Sequence, residues 1–170
     1  MNNYKHCSCN SKPCRCPCEP KHCKCNPKPC CCPCEPKPPK KLTTGLFRVP
    51  ELSNSNNAID LLIIGLNNRT PKQKSVIVTV DRCPEAVFPA TSQETTTFRK
   101  RIILNQFQCT QIHLASGPSF VPGDLLRVTF EGDIVKETIS VEATVVGRDN
   151  TGEHEPTMFF RHDDLIKIFP

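Results

Sequence analysis

The stretch TISVEATVV (Thr138–Val146) decides the fold class, because apolar and polar residues alternate along most of its length. Successive side chains of a β-strand point to opposite faces of a sheet, so this pattern predicts a strand with one buried face. The predicted inward residues are Ile139, Val141, Ala143 and Val145, and the predicted outward residues are Ser140, Glu142 and Thr144.

Other segments of the same region also have strand patterns. SVIVTV (Ser75–Val80) and LLRVTF (Leu125–Phe130) alternate, whereas AIDLLIIGL (Ala58–Leu66) is apolar on both faces, which predicts a central position in a sheet. Further predicted strands are GLFRV (Gly45–Val49), FRKRIIL (Phe98–Leu104), QCTQIHL (Gln108–Leu114), TMFFR (Thr157–Arg161) and DLIKIF (Asp164–Phe169). Turn signals separate these runs, and no amphipathic helix is indicated. Residues 42–170 are therefore predicted to form an all-β domain, a two-sheet β-sandwich of jelly-roll or immunoglobulin-like type.

Residues 1–41 have a different composition, and we call them the strap. HCSCNSKPCRCPCEPK (residues 6–21) is followed at once by HCKCNPKPCCCPCEPK (residues 22–37), and these two repeats are identical at 13 of 16 positions. Proline recurs every few residues, which blocks helices and sheet ladders and favours an extended chain. The strap cannot bury a core, but at about 3.1 Å per residue it reaches on the order of 100 Å.

Charge also separates the strap from the rest of the chain. The strap has eight Lys and one Arg against Glu19 and Glu35, a net charge of +7, and residues 42–170 have 13 basic and 15 acidic residues, a net charge of −2. The strap cations come singly between Cys and Pro, with Tyr4 as the one aromatic residue, so nucleic-acid binding is not predicted. No apolar run approaches the roughly 20 residues of a membrane span, and no apolar signal-peptide core is present.

The strap thiols are the chemistry that any function must explain. There are eleven of them: Cys7, Cys9, Cys14, Cys16, Cys18, Cys23, Cys25, Cys30, Cys31, Cys32 and Cys34. Bridged cysteines need Cα atoms within about 7 Å and converging Cβ vectors, so Cys-x-Cys neighbours are better placed to bond other segments than each other. A flexible strap also holds many thiols at a high effective concentration near a neighbouring subunit. Intermolecular disulfides are the first hypothesis for the strap.

Metal binding is the alternative hypothesis for the same thiols. Six Cys-x-Cys units, with His6 and His22 beside them, resemble metallothioneins in spacing and suit Zn²⁺ or Cu(I) in clusters with shared sulfur. The intervening prolines limit the wrapping that such a cluster requires. The histidines have a simpler interpretation as polar residues copied with the repeat.

Two cysteines, Cys83 and Cys109, lie outside the strap. Strand alternation places Cys109 on a polar face with Gln111 and His113, and Cys83 is predicted in a loop just past a strand end, next to Pro84. They are interpreted as buried or loop thiols, as an intradomain pair, or as exposed acceptors for strap cysteines of another subunit. Thirteen is an odd number, so at least one thiol is unpaired or paired outside its own chain.

Catalysis is not predicted. His113, His154 and His162-Asp163-Asp164 supply titratable groups, but the chain has no nucleophile elbow, phosphate-binding loop or H-E-x-x-H motif. The HDD sequence is expected to form a turn cap before the last strand. Asn68-Arg69-Thr70 fits the N-glycosylation pattern, but a turn explains it equally well. No cofactor and no small-molecule substrate are expected.

A Cys-bearing N-terminal connector followed by a compact all-β domain resembles the subunits of endospore appendages in spore-forming Firmicutes. The resemblance covers the order of parts, residues 1–41 and then 42–170, and no motif aligns residue by residue. It implies a jelly-roll sandwich whose sheets augment between subunits, with strap cysteines as disulfide donors and Cys83 and Cys109 as acceptors. It also accounts for the missing signal peptide, since spore-surface proteins are made in the mother cell and released by lysis. The long, repeated, Pro-rich connector departs from that pattern.

The sequence therefore predicts a non-enzymatic structural protein of an extracellular or spore-surface fibre or coat. Its partners are expected to be further copies of itself or other spore-surface proteins, with disulfides from the strap as the fastening and sheet edges as the docking surfaces. An anchoring subunit at a fibre base and an exosporium protein are variants of the same hypothesis.

Overall fold

The computed structural model describes residues 41–53, 56–87, 89–135 and 140–168. The chain divides into two units, Met1–Pro38 and Pro39–Pro170, and every described residue belongs to the second. The eleven strap cysteines, together with His6 and His22, lie outside the described residues.

Nine β-strands and one 3-10 turn make up the regular structure of the described residues. The strands are β1 (Lys41–Arg48), β2 (Ile59–Asn68), β3 (Lys74–Cys83), β4 (Thr95–Leu104), β5 (Cys109–Ala115), β6 (Leu125–Gly132), β7 (Val141–Asp149), β8 (His154–Phe160) and β9 (Ile166–Ile168). The 3-10 turn spans His162–Asp164. In this part of the chain no helix has the length and apolar character needed to cross a membrane.

The strands form two antiparallel sheets that share one core. One sheet has the order β4-β3-β6-β1-β9 and the other has the order β5-β2-β7-β8. Buried side chains of both sheets belong to a single hydrophobic cluster, so the sheets pack face to face. The prediction of an all-β, two-sheet sandwich is confirmed. Strand β1 pairs with β6 and β9 rather than with β2, which differs from the immunoglobulin constant-type order, where the first two strands are neighbours.

The alternation that predicted β7 is present in the fold. Val141, Ala143 and Val145 are buried, and Thr144 is exposed on the other face. The prediction that Ser140 faces outward is wrong. Ser140 is buried just before β7, where its hydroxyl donates a hydrogen bond of 2.8 Å to the carbonyl of Asp133. Residues 138 and 139 lie outside the described residues.

The segment AIDLLIIGL, which is apolar on both faces, forms most of β2 and has the predicted central position in its sheet. Strand β2 pairs with β5 on one side and with β7 on the other. Leu62, Ile64 and Leu66 fill the core, and Leu61 and Ile63 on the opposite face are only partly exposed. The apolar outer residues therefore reflect a strand that has neighbours on both of its edges.

Three boundaries differ from the predictions. Strand β1 begins at Lys41, which had been placed in the strap, and Lys41 pairs with Glu131 and Ile168. Strand β3 continues to Cys83, so this cysteine ends a strand instead of lying in a loop. The strand predicted at Phe98–Leu104 is longer, because β4 begins at Thr95. In each case pairing with a distant strand extends the element beyond its local sequence pattern.

The two cysteines outside the strap lie at different ends of the sandwich. We call the end at which β1, β3 and β5 begin the strap end, because the strap joins the domain there at Lys41. We call the opposite end, where β1 and β3 finish at Arg48 and Cys83, the far end. Lys74 at the start of β3 pairs with Leu104 at the end of β4, and Cys83 at the end of β3 pairs with Leu125 at the start of β6. Strands β4 and β6 therefore begin at the far end and finish at the strap end.

Candidate functional site

Cys109 is an exposed thiol at the strap end of the sandwich. It is the first residue of β5, opposite Asn67 of β2. Cys109, Gln111 and His113 are exposed, whereas Leu114 is buried, as the strand alternation predicts. The thiol is free and lies on the exposed face of the sheet.

Cys83 is a half-buried thiol at the far end. Its sulfur lies 3.1 Å from the hydroxyl oxygen of Ser92, and that hydroxyl donates a hydrogen bond to the carbonyl of Pro84. The thiol therefore ties the connection after β3 back onto the end of the strand. Cys83 is free, but Ser92 and the backbone around it restrict the approach of another sulfur.

The two thiols lie at opposite ends of the molecule. Cys83 ends β3, whereas Cys109 lies near the end at which β3 begins, and the ten residues of β3 span about 30 Å at about 3.3 Å per residue. A disulfide needs Cα atoms within about 7 Å. The interpretation of Cys83 and Cys109 as an intradomain pair is therefore wrong, and both are free thiols.

A buried amide network organises the strap end beside Cys109. Asn68 is 0% exposed, and its side-chain amide donates to the carbonyls of Lys72 at 2.8 Å, Asn105 at 2.8 Å and Leu104 at 3.3 Å. Its side-chain oxygen accepts hydrogen bonds from the backbone and hydroxyl of Thr70. A glycan cannot be attached to an amide that is buried and engaged in this way, so the turn interpretation of Asn68-Arg69-Thr70 applies to the folded domain.

Buried carboxylates organise the far end. Asp124 is 1% exposed, with one carboxylate oxygen 2.6 Å from the Arg82 side chain and 2.7 Å from the backbone nitrogen of Val121. The Arg82 nitrogen has no aligned hydrogen bond, so charge holds this pair together. Asp149 is also buried and accepts hydrogen bonds from the Ser53 hydroxyl and from the turn that follows β7.

The four edge strands differ in how they discourage pairing with another chain. Short strands, proline, bulges and charged side chains are the usual protections of a sheet edge. Strand β9 has three residues, β8 contains Pro156 and an irregular register, and β4 carries Arg99, Lys100 and Arg101. Strand β5 has seven residues, a regular register, no proline and no Lys, Arg, Asp or Glu. It is the unprotected edge among the described strands.

The three histidines of the described residues lie on three different elements, β5, β8 and the 3-10 turn. His113 lies on β5, 3.1 Å from the Gln111 side chain, and His154 lies on β8, at the opposite edge of the same sheet. His162 accepts a hydrogen bond from the Ala143 backbone and contacts the Val135 carbonyl at 3.1 Å, so both ring nitrogens serve the fold. Asp164 accepts a hydrogen bond from the Arg161 backbone, as the predicted turn cap requires. Within the described residues, no three His, Cys, Asp or Glu side chains converge on a position where a metal ion would fit.

Comparison with known proteins adds little to these observations. No protein-family model matches the chain, and no curated protein matches it. Among solved structures the domain is similar to one described as the crystal structure of Thermotoga maritima 1070, with 7% sequence identity and a TM-score of 0.36, over 78% of this chain and 93% of that chain. A likeness this low carries no argument about function.

Sequence reasoning found the thiols of the candidate site but missed its surroundings. Strand alternation predicts that Cys109 lies on the polar face and that β4 is a strand. It does not indicate a role for the three consecutive cations of β4. The contrast between protected and unprotected edges could not be seen, because the sequence does not show which strands lie at the edges. A signal that was available is the absence of any charge or proline from CTQIHLA.

Proposed function

We propose that the chain is a non-enzymatic structural subunit of an extracellular or spore-surface fibre or coat, fastened to neighbouring subunits by disulfides from its strap. The observation that carries this proposal is the combination, on one strand, of an exposed free thiol and an unprotected sheet edge. Both features belong to β5, which begins at Cys109.

Edge pairing and disulfide formation support each other at β5. A strand of a neighbouring subunit that adds to this edge gains backbone hydrogen bonds and holds the two subunits in register. A strap cysteine of that neighbour is then held near Cys109 at a high effective concentration. Non-covalent docking provides the geometry, and the disulfide makes the contact permanent.

Cys109 is the better acceptor of the two body thiols. Thiol–disulfide exchange requires access of one sulfur to another, and Cys109 is exposed while Cys83 is half-buried against Ser92. Cys83 is a secondary acceptor in this proposal, at the far end, where it would connect the subunit to a different neighbour.

Several bridges for each subunit explain why the strap holds eleven thiols. A single disulfide contributes about 2–4 kcal/mol to a folding equilibrium, but a covalent contact between subunits is broken only by reduction or exchange. Eleven strap thiols leave many ways to form such contacts. The assembly would then resist dilution and denaturant, and a thiol reductant would dismantle it.

Electrophoresis of native assemblies with and without reductant tests the proposal. We expect ladders or material too large to enter the gel without reductant, and a single 19.0 kDa chain with reductant. Mass spectrometry of the unreduced digest should find the Cys109 peptide joined to strap peptides. A monomer without reductant, or a Cys109 peptide with a free thiol in assembled material, would contradict the proposal.

Metal analysis of anaerobically purified protein addresses the alternative function of the strap. Several Zn or Cu ions per chain, lost when the thiols are alkylated, would favour metallothionein-like binding through the strap cysteines with His6 and His22. The disulfide proposal expects no stoichiometric metal in material isolated in its assembled, oxidised form.

A further inference from the structure

The cations of the described residues differ in whether a carboxylate lies near them. Six of them have a carboxylate oxygen within 4.0 Å: Lys41, Arg48, Arg69, Lys74, Arg82 and Arg127. Arg99, Lys100 and Arg101 have no such partner among the described residues, although they are consecutive and all exposed. In a domain with a small negative net charge, three adjacent unpaired cations form a distinct positive surface.

This positive surface lies on the backbone edge of β4. The strand has ten residues and pairs with β3 alone among the described strands, so one side of its backbone has unpaired N–H and C=O groups. Strand alternation places Arg99 and Arg101 on the outer face of the sheet, beside Thr79 and Ile77, and Lys100 on the other face. A chain that adds to β4 would therefore meet positive charge on both of its faces.

The charges disfavour two occupants that this chain itself offers, a second β4 strand and the strap. A second β4 strand would bring six cations together, and like charges placed directly opposite each other across two strands are destabilising. The strap carries a net charge of +7 and would be repelled in the same way. The same charges that disfavour pairing between two β4 strands attract an acidic strand.

We propose that β4 is the docking edge for an extended acidic peptide of a partner protein, added antiparallel to the strand. Read along such a partner, the residues opposite Ile103 and Ile102 would be apolar, three acidic residues would follow opposite Arg101, Lys100 and Arg99, and an apolar residue would face Phe98. Ile103 is exposed at the end of this surface, and Phe98 is partly buried against the core. The partner is recognised by backbone pairing together with charge.

Binding of synthetic peptides to the full-length chain, with its thiols kept reduced, tests this proposal independently of the disulfide proposal. The probe is a fluorescent peptide containing Val-Val-Glu-Glu-Glu-Val, measured by anisotropy in low salt. Replacing the three cations together (Arg99→Gln, Lys100→Gln, Arg101→Gln) should weaken binding by about tenfold, because each surface pair contributes up to about 1 kcal/mol. Circular dichroism confirms that the variant is folded.

A charge-matched variant removes the confounding effect of the basic strap. Lys21→Gln, Lys24→Gln and Lys28→Gln together remove the same charge from the strap and should change the affinity by less than about twofold if the peptide binds β4. A peptide with Gln in place of Glu should also bind about tenfold more weakly, because it removes the same three charge pairs. Equal losses from the two triple variants would overturn the proposal, as would tight binding of the Gln peptide.

Peptides methylated at alternate backbone nitrogens separate strand addition from simple ionic attraction. An added strand donates hydrogen bonds to β4 from every second residue, so one methylated series should lose binding and the other should keep it. Retention of binding by both series would overturn the proposal. A single-stranded DNA oligonucleotide that binds as tightly as the peptide, and loses affinity in the β4 variant, would also overturn it by identifying a general polyanion surface.

Discussion

The strap end and the far end of the sandwich carry different chemistry on the same scaffold. At the strap end an uncharged amide, Asn68, satisfies buried backbone groups, and the neighbouring thiol of Cys109 is exposed. At the far end the buried Asp124 carboxylate pairs with the partly exposed Arg82 side chain, and the thiol of Cys83 is held against Ser92. The two cysteines of this domain therefore differ in accessibility because of the residues that surround them.

The two ends also differ in the cost of disturbing them. A neutral network loses hydrogen bonds when it is broken, whereas a buried ion pair leaves an unpaired charge in the protein interior. The two thiols also differ in their surroundings, since Cys83 contacts Ser92 and Cys109 contacts solvent. Four sets of variants test these differences. Their expected effects decrease from the thiols that take part in covalent assembly to an exposed ion pair.

The largest effect is expected from the thiols themselves. Cys109→Ser should lower the amount of strap-to-body disulfide in oxidised assemblies by at least about tenfold, and Cys83→Ser should lower it by less than about twofold, because exposure governs access for exchange. The measurement is quantitative mass spectrometry of disulfide-linked peptides from unreduced digests. Isotope-labelled Cys83 and Cys109 peptides serve as internal standards.

The opposite ranking of the two thiols would contradict the assignment of Cys109 as the main acceptor. Equal losses would mean that exposure does not decide which thiol reacts. Serine differs from cysteine by one atom, so both variants should keep the fold, and their unfolding midpoints under reducing conditions provide the control.

The next largest effect is expected at the far end, in Asp124→Asn. This change removes the negative charge but keeps the shape of the side chain, and it leaves the Arg82 guanidinium without its 2.6 Å partner. We expect the free energy of unfolding to fall by about 3 kcal/mol, the lower end of the cost of breaking a buried ion pair, because the Arg82 side chain is 23% exposed and reaches water. Urea unfolding of the full-length chain in the presence of reductant measures it.

Glu85→Gln at the same end is the matched control for Asp124→Asn. Glu85 pairs with Arg48 at 2.7 Å, but both side chains are about half exposed. Its loss should cost less than about 1 kcal/mol. Similar costs for the two variants would mean that burial of the Arg82–Asp124 pair does not determine its contribution.

A smaller loss is expected at the strap end, in Asn68→Ala. The alanine leaves the carbonyls of Leu104 and Asn105 without their side-chain donor and the Thr70 backbone without its acceptor. Unsatisfied buried polar groups cost about 1–3 kcal/mol each before relaxation and water entry, so we expect a net loss of about 2–3 kcal/mol in the same urea experiment. Asn67→Ala, at the exposed neighbouring position, should change stability by less than about 0.5 kcal/mol.

The sequence predicted the fold class well because its strands follow a strict period of two. Val76, Val78 and Val80 are buried as their alternation requires, and the doubly apolar β2 is central. The sequence did not predict the order of strands, since pairs such as β1 with β6 join residues 77 to 90 positions apart. Ser140 was misplaced for the same reason, because its inward position depends on a hydrogen bond to Asp133 across the connection between two sheets.

The candidate site was predicted in part. Parity along β5 indicated that Cys109 lies on the polar face, and that prediction needed no tertiary information. The position of Cys83 was wrong, because β3 is extended by its pairing with Leu125. The unpaired state of Arg99 was invisible in the sequence, since ion pairs in this domain join residues as distant as Arg69 and Glu142. The polar and apolar pattern of a strand depends on neighbouring residues, whereas the partners of a side chain come from distant positions in the sequence.

The smallest effect is expected from the surface ion pair beside Cys109. Arg69 and Glu142 are 2.8 Å apart, but their side chains are 61% and 43% exposed, so water and salt screen their attraction. A double-mutant cycle with Arg69→Gln and Glu142→Gln should give a coupling free energy below about 1 kcal/mol that vanishes in about 1 M salt. A larger coupling that survives high salt would mean that charge contributes to the stability of the strap end as it does at the far end. The contrast between a neutral and an ionic end would then be restricted to the buried residues. A small coupling would mean that Asn68 is the main polar determinant of stability at the strap end. Replacing the surface charges of Arg69 and Glu142 would then leave the stability of the domain nearly unchanged.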